Sequence, residues 1–138
     1  DMTAVSLYFY DHLVTAQQQE VAHAFLRISM VEMHHLDIFG TLAHQMGEDP
    51  RLWGFGQGGR KNWWSPGYNQ YPPRLGPMIR NAVKGEKSAI RKYKAQLRWI
   101  ADPNIAENLR RIIADEEQHL KVLAQLYDTY VGKTDPYP

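Results

Sequence analysis

The sequence predicts an all-α protein, a four-helix bundle with a long crossover between its second and third helices. Two observations carry that expectation. Apolar residues recur at spacings of three and four in four separate segments, the pattern that lines one face of a helix. The one long stretch without such a period, residues 48–76, falls between the second and third of them. A chain of 138 residues is the size of one domain and can bury a single core without disulfides.

The first segment runs from Asp1 to about Thr15 with Val5, Tyr8 and His12 on one stripe. After the polar Gln17, Gln18 and Gln19 the period resumes through Met46, with Phe25, Ile28, Glu32, His35, Phe39 and Leu42 in line and Gly47 as a stop. Residues 48–76 shift to Gly, Pro, Trp and Tyr, read as a connection with no strand pair. Pro77, a good first-turn residue, opens a third helix through Ile79, Val83, Glu86, Ile90, Tyr93, Leu97 and Ile100. The break Asp102-Pro103-Asn104 separates it from a fourth, through Ile105, Leu109, Ile112, Glu116, His119, Leu123 and Tyr127. The bundle spans residues 1–131, and residues 132–138 read as a loose tail. Short first and third connections make two antiparallel hairpins, and the long middle one lets the third helix run parallel to the second.

Composition narrows the function. Sixteen Lys and Arg against fifteen Asp and Glu leave a charge of +1, without the basic excess that phosphate-backbone binding needs, so nucleic acid is not the expected partner. No apolar run approaches the roughly 18–20 residues of a membrane span, and no signal sequence stands at the front, so the expectation is a soluble, cytoplasmic protein. With no cysteine, thiolate chemistry is excluded and any metal must bind through His and carboxylate.

The chemistry lies in interruptions of the apolar stripes. Glu32, Glu86 and Glu116 stand at mid-helix where Leu or Ile would pack best, and two of them carry His three residues on, as Glu32-x-x-His35 and Glu116-x-x-His119. Residues equally far from the turn of an antiparallel hairpin are level with each other. The residue midway between Glu86 and Glu116 is Ala101, beside the Asp102-Pro103 break, so the two carboxylates should face each other. For Glu32, a turn near Ala16 and Gln17 puts the level partner at Asp1. A Tyr follows each upstream carboxylate at the same offset, Asp1 to Tyr8 and Glu86 to Tyr93, so the two halves read as a weak internal repeat. Four carboxylates and two imidazoles at one level of an apolar core would each cost several kcal/mol if unpaired. Two divalent cations remove that cost. Carboxylate with imidazole suits iron, manganese or zinc, and one carboxylate from each of two helices with Glu-x-x-His from the other two is the di-metal pattern of bundles.

The segments MTAVSLYFYDHL, ISMVEMHHLDIFG, RKNWWSPGYNQY, GEKSAIRKYKAQLRWI and IIADEEQHLKVLAQLY resemble the ferritin-like superfamily, in its rubrerythrin-like and manganese-catalase-like branch, over nearly all of residues 1–131. The resemblance implies that Glu32 and Glu116 bridge two metals, that Asp1 and Glu86 are terminal oxygen ligands, and that His35 and His119 supply nitrogen. Three departures stand out. Helix one offers a shorter Asp at its very start where that family has a mid-helix Glu; Ala89 stands where peroxidase-type rubrerythrins carry a further Glu; and the cysteine-rich iron module that feeds electrons is absent. A reductase activity would then need an external electron donor, whereas peroxide dismutation would not.

Among the side features, His34 is read as pointing away from the site, His12 as a satisfied core histidine, and His23 and His44 as surface residues. Asp115 is a candidate to orient a ligand His of a neighbouring helix. Tyr8 and Tyr93 are read mainly as packing, Trp53, Trp63, Trp64, Tyr68 and Tyr71 as a cover over the core, and Lys84, Lys87, Arg91, Lys94 and Arg98 as a solvated face. The string Gly54-x-Gly56-x-x-Gly59 is discarded as a dinucleotide fingerprint, since no helix start follows it.

The functional expectation is a dinuclear centre of two divalent manganese or iron ions per chain that turns over hydrogen peroxide or dioxygen, in a catalase-like or peroxidase-like oxidoreductase. Glu32 and Glu116 are its expected catalytic carboxylates, and a homo-oligomer is expected. The alternative is a non-catalytic iron-binding, storage or assembly subunit.

Overall fold

The computed structural model describes residues 1–55 and 61–132. Four helices account for most of them: α1 (Met2–Val14), α2 (Gln19–Gln45), α3 (Leu75–Leu97) and α4 (Pro103–Tyr130). Several of their ends have a local cause. Gly47 follows α2 with a positive φ of 83°, the left-handed conformation that ends a helix most cheaply with glycine. Asp102 caps α4, its carboxylate accepting from the N–H groups of Asn104 (2.8 Å) and Ile105 (3.2 Å), and Pro103 takes the first helical position. Helix α3 begins two residues earlier than the periodicity predicts, at Leu75. Arg74 before it is extended, and Pro77 sits within the first turn, where its missing N–H has no intrahelical partner to lose.

The connection between α2 and α3 corrects the reading of a stretch without strands. It holds a two-stranded antiparallel hairpin, β1 (Trp53–Phe55) and β2 (Lys61–Trp63), with Trp53 opposite Trp63 and Gly54 opposite Asn62. Strands of three residues are too short to show an alternating pattern in sequence. The Trp53 and Trp63 rings stack at 4.4 Å, and the Arg51 guanidinium lies 5.3 and 5.0 Å from their centres, a cross-strand pair with a cation–π contact. Gly56 and Gly59 of the discarded glycine string lie outside the described residues, as do residues 133–138 of the expected tail. The connection is pinned along α1. The Trp64 indole N–H donates to Thr3 Oγ1 (2.9 Å), and Asn69 Nδ2 donates to Ser6 Oγ (2.7 Å).

Two apolar plugs fill the interior. One gathers Tyr8, Val21, Phe25, Ile28, Met78, Ile79, Leu123 and Leu126, and the other Ile90, Tyr93, Leu109, Ile112 and Ile113. Along α4 the first plug ends at Leu123 and the second begins at Ile113. Between them the same buried face carries Glu116 and His119. A polar layer is thus enclosed between two dry ones.

Candidate metal centre

Three of the four helices supply the acid and imidazole groups of that layer at mid-bundle. Glu32 and His35 on α2, Glu86 on α3, and Glu116 and His119 on α4 are all at most 5% exposed. Carboxylates so enclosed require compensation, which here comes from one another's protons and from the imidazoles. Glu32, Glu86, Glu116 and His119 each offer one donor atom within 4.8 Å of the others. His119 Nδ1 faces three carboxylates, at 3.4 Å from Glu32 Oε1, 3.4 Å from Glu86 Oε1 and 3.2 Å from Glu116 Oε2. His35 Nδ1 faces two, at 3.5 Å from Glu32 Oε2 and 3.2 Å from Glu116 Oε1. Glu32 and Glu116 therefore each turn one oxygen to each imidazole. That is the disposition of a carboxylate shared between two neighbouring positions.

Asp1 stands apart from the four-donor group. Its Oδ1 accepts from the Tyr93 hydroxyl (2.8 Å), while the Tyr8 hydroxyl donates to Glu86 Oε1 (2.5 Å). The reading of these tyrosines as mainly packing is corrected, since both hydroxyls bind carboxylates of the layer. The bonds are reciprocal, for the Tyr of each half holds the upstream carboxylate of the other. The shared seven-residue offset was the signal in the sequence, but which half each Tyr reaches needed the packing. Asp115 is placed as expected for an orienting residue: the Nε2–H of His35 donates to its Oδ2 (2.8 Å). His34, His23 and His44 are exposed, and His12 Nδ1 meets the Ala22 carbonyl at 2.8 Å. Trp64 is half-buried against α1, whereas Trp63, Tyr68 and Tyr71 are largely exposed, so the aromatic cover is partial.

The electrostatics are those of a site built for cations. Burial lowers the affinity of both imidazoles for protons, but the carboxylates that face them outweigh it. Glu116, Glu32 and Asp115 push His35 up to about 10, and Glu116, Glu32 and Glu86 push His119 up to about 11. Burial pushes Glu86 up to about 8. For Glu116 burial acts the same way but is overcome by bonds from His119, His35 and Glu86, leaving its carboxyl well below the usual range. Burial and the neighbouring carboxylates push the Tyr8 and Tyr93 hydroxyls up, so both remain proton donors. Protons on the imidazoles hold the place of positive charge among the carboxylates. His35 Nδ1 is the informative atom: fully buried, close to two carboxylate oxygens, yet without a hydrogen-bond partner of acceptable geometry. A nitrogen donor aimed into a carboxylate-lined space, with its other nitrogen fixed by Asp115, fits a divalent transition metal.

A cavity of about 290 Å³ opens onto this layer between α1 and α3. Its floor includes Glu32, Glu86 and Glu116, its α3 wall is made of small residues such as Ala82, Gly85 and Ala89, and Lys92 lies at its lining. Ala89, where a further Glu was absent from the expected pattern, leaves room in this cavity.

Fold and layer together are those of an all-α four-helix bundle, consistent with a ferritin-like one, that holds a buried cluster of carboxylates and histidines. Residues 77–138, which take in α4 and all but the first two residues of α3, match the Rubrerythrin family model, a ferritin-like di-metal carboxylate family. No curated protein and no solved structure matches the chain. Among the described residues no helix is long and apolar enough to cross a membrane.

Proposed function

We propose that this protein is a dinuclear manganese or iron oxidoreductase acting on hydrogen peroxide, with dioxygen as the alternative small oxidant. The observation that carries the reading is the split of Glu32 and Glu116, each with one oxygen toward His35 and one toward His119. Glu32 and Glu116 are the proposed shared ligands, His35 and His119 the nitrogen ligands, and Glu86 and Asp1 the terminal carboxylates. Four carboxylates then balance two divalent cations, which removes the desolvation penalty that the layer otherwise carries. Two such metals supply paired one-electron chemistry suited to a two-electron oxidant such as peroxide.

The chain's own residues do the rest. The α1–α3 cavity admits a small molecule to the carboxylates, while the plugs on either side keep the layer dry and its electrostatics strong. Tyr8 holds a proton at Glu86 and Tyr93 one at Asp1, each positioned to pass it to a departing oxygen product or take it back.

The test is elemental analysis of the isolated protein followed by oxygen release from added peroxide on the same sample. Two manganese or iron ions per chain with oxygen release is the result expected of catalase-like turnover. Two ions with peroxide consumed only when an electron donor is added would mean peroxidase-like turnover. Full metal occupancy in Glu32→Ala or Glu116→Ala would sink the assignment.

A further inference from the structure

The two halves of the site repeat each other, and the repeat is broken at one place. Glu32-x-x-His35 on α2 corresponds to Glu116-x-x-His119 on α4, and the crossed tyrosine bonds follow the same exchange. Asp115, the residue before Glu116, fixes Nε2 of His35. The residue before Glu32 is Val31, which has nothing to offer the corresponding nitrogen of His119. Val31 and His119 line one small cavity of about 190 Å³ between α2 and α4 together with Arg27, Asp115 and Gln118, and the polar contacts that His119 makes among the described residues run through Nδ1.

The donors are unequal in the opposite sense. Around His119 three carboxylate oxygens already converge within 3.4 Å of Nδ1. Around His35 there are two, and the remaining carboxylate, Asp1, is turned to Tyr93. An imidazole held by an outer carboxylate is a better and more rigid donor, so an anchor matters most where donors are fewest. The anchor is present there and absent where donors are complete.

We infer that the two metal positions are unequal, the His119 position filling first and the His35 position second, and that Asp115 is the positioning residue that sustains the second. This rests on the dinuclear reading above. The position at His119 already has its three carboxylates gathered, Glu86 among them though it accepts from Tyr8, whereas the one at His35 must bring in Asp1 from its bond with Tyr93 or do without it. Replacing Asp115 by Asn keeps the shape but exchanges a charged acceptor for a neutral amide oxygen, which holds the Nε2–H of His35 less strongly and leaves Nδ1 a poorer donor.

The experiment is a Co(II) titration of the metal-free full chain, followed by visible absorption and by equilibrium dialysis, with a competing chelator where binding is tight. The wild type should take two ions in two resolved steps. In Asp115→Asn the first step should be unchanged and the second weakened roughly 10- to 100-fold, the usual effect of losing such a partner. Asp115→Glu, which restores the charged acceptor, should recover most of the second step. Asp115 is 48% exposed, so its replacement leaves the core intact, and the melting temperature of the metal-free variants checks this. A single step of two equivalent ions, an unaltered second step in Asp115→Asn, or equal weakening of both steps would overturn the inference while leaving the dinuclear reading standing. Saturation of the wild type below two ions would remove that reading, and the inference with it.

Discussion

Asp11 supplies a stability test independent of the metal centre. It lies one turn beyond Tyr8 on the buried face of α1, is 1% exposed, and its Oδ1 has no hydrogen-bond partner. Burial alone pushes its carboxyl up to about 7 from an ordinary 3.8. The folded chain therefore holds a proton there that the unfolded chain has released, and between those two values stability falls as pH rises. At 1.36 kcal/mol per tenfold change in proton affinity, the loss is about 4 kcal/mol at most once pH exceeds 7. Asn is nearly isosteric with the protonated acid and does not ionise. Asp11→Asn should match the wild type near pH 4 and exceed it by about 2–4 kcal/mol at pH 8, a gain of roughly 6–15 °C in melting temperature for a chain of this size. Urea unfolding of both proteins from pH 4 to 8 gives the difference directly, and the contribution of the metal layer cancels in it. A difference that does not grow between pH 4 and 7 would refute the claim that this carboxyl is held neutral by the fold.

Metal loading should release protons. His35 and His119 hold theirs up to about 10 and 11, and Glu86 up to about 8, so at pH 7.5 two ions per chain should displace at least about two protons, read with an indicator dye in weak buffer. Binding with no proton release would mean that the imidazoles are not ligands. For the same reason the metal-free protein should be stabilised by both imidazoliums below about pH 6.5 and lose that contribution as pH climbs through 10 to 11, seen as a falling melting temperature that bound metal suppresses. Tyr8→Phe removes the hydroxyl from a buried oxygen of Glu86 and should cost about 1–3 kcal/mol in the metal-free state, measured by denaturant unfolding. A Cβ at Gly85 meets nothing within 4 Å, so Gly85→Ala should stabilise α3 by about 0.5–1 kcal/mol; a loss of stability instead would mean that the wall of the α1–α3 cavity is tighter than the structure has it.

The bundle was legible because its four helices are long and strongly periodic, and because Gly47 and Asp102-Pro103 mark their ends with residues whose backbone chemistry leaves few options. The meeting of Glu86 with Glu116 followed from hairpin arithmetic, which needs only the rise of a helix and the position of a turn. Asp115 could be suspected from its place beside Glu116, but its partner on α2 could be fixed only by the packing of α2 against α4. The hairpin in the connection was hidden because its pairing is held by Trp stacking and Arg51, with no apolar alternation to read. Tyr8 and Tyr93 were undervalued because a Tyr in a stripe looks the same in sequence whether its hydroxyl is idle or bound. Asp1 shows the limit of level-matching: it lies at the right height, yet its carboxylate is claimed by Tyr93.

The crossed tyrosine bonds explain how a site spread over four helices comes together. Each helical hairpin carries one Glu-x-x-His pair and one Tyr that reaches the layer, but Tyr8 of α1 serves the carboxylate of α3, Tyr93 of α3 serves Asp1 at the start of α1, and Asp115 of α4 serves His35 of α2. Neither hairpin alone can assemble the layer or satisfy its buried polar atoms. Docking the two halves and forming the site are therefore one event, and an ion shared by Glu32 and Glu116 would tie α2 to α4 directly. By mass action, metal at 100 times its dissociation constant adds about 2.7 kcal/mol of stability per site. That gain would appear as slower separation of the halves, and so as loss of amide exchange at mid-α2 and mid-α4 ahead of the helix ends. If metal instead protected the ends of α1 and α3 and left the mid-helix amides unchanged, the ions would be bound elsewhere and the layer would be only a proton-filled polar core.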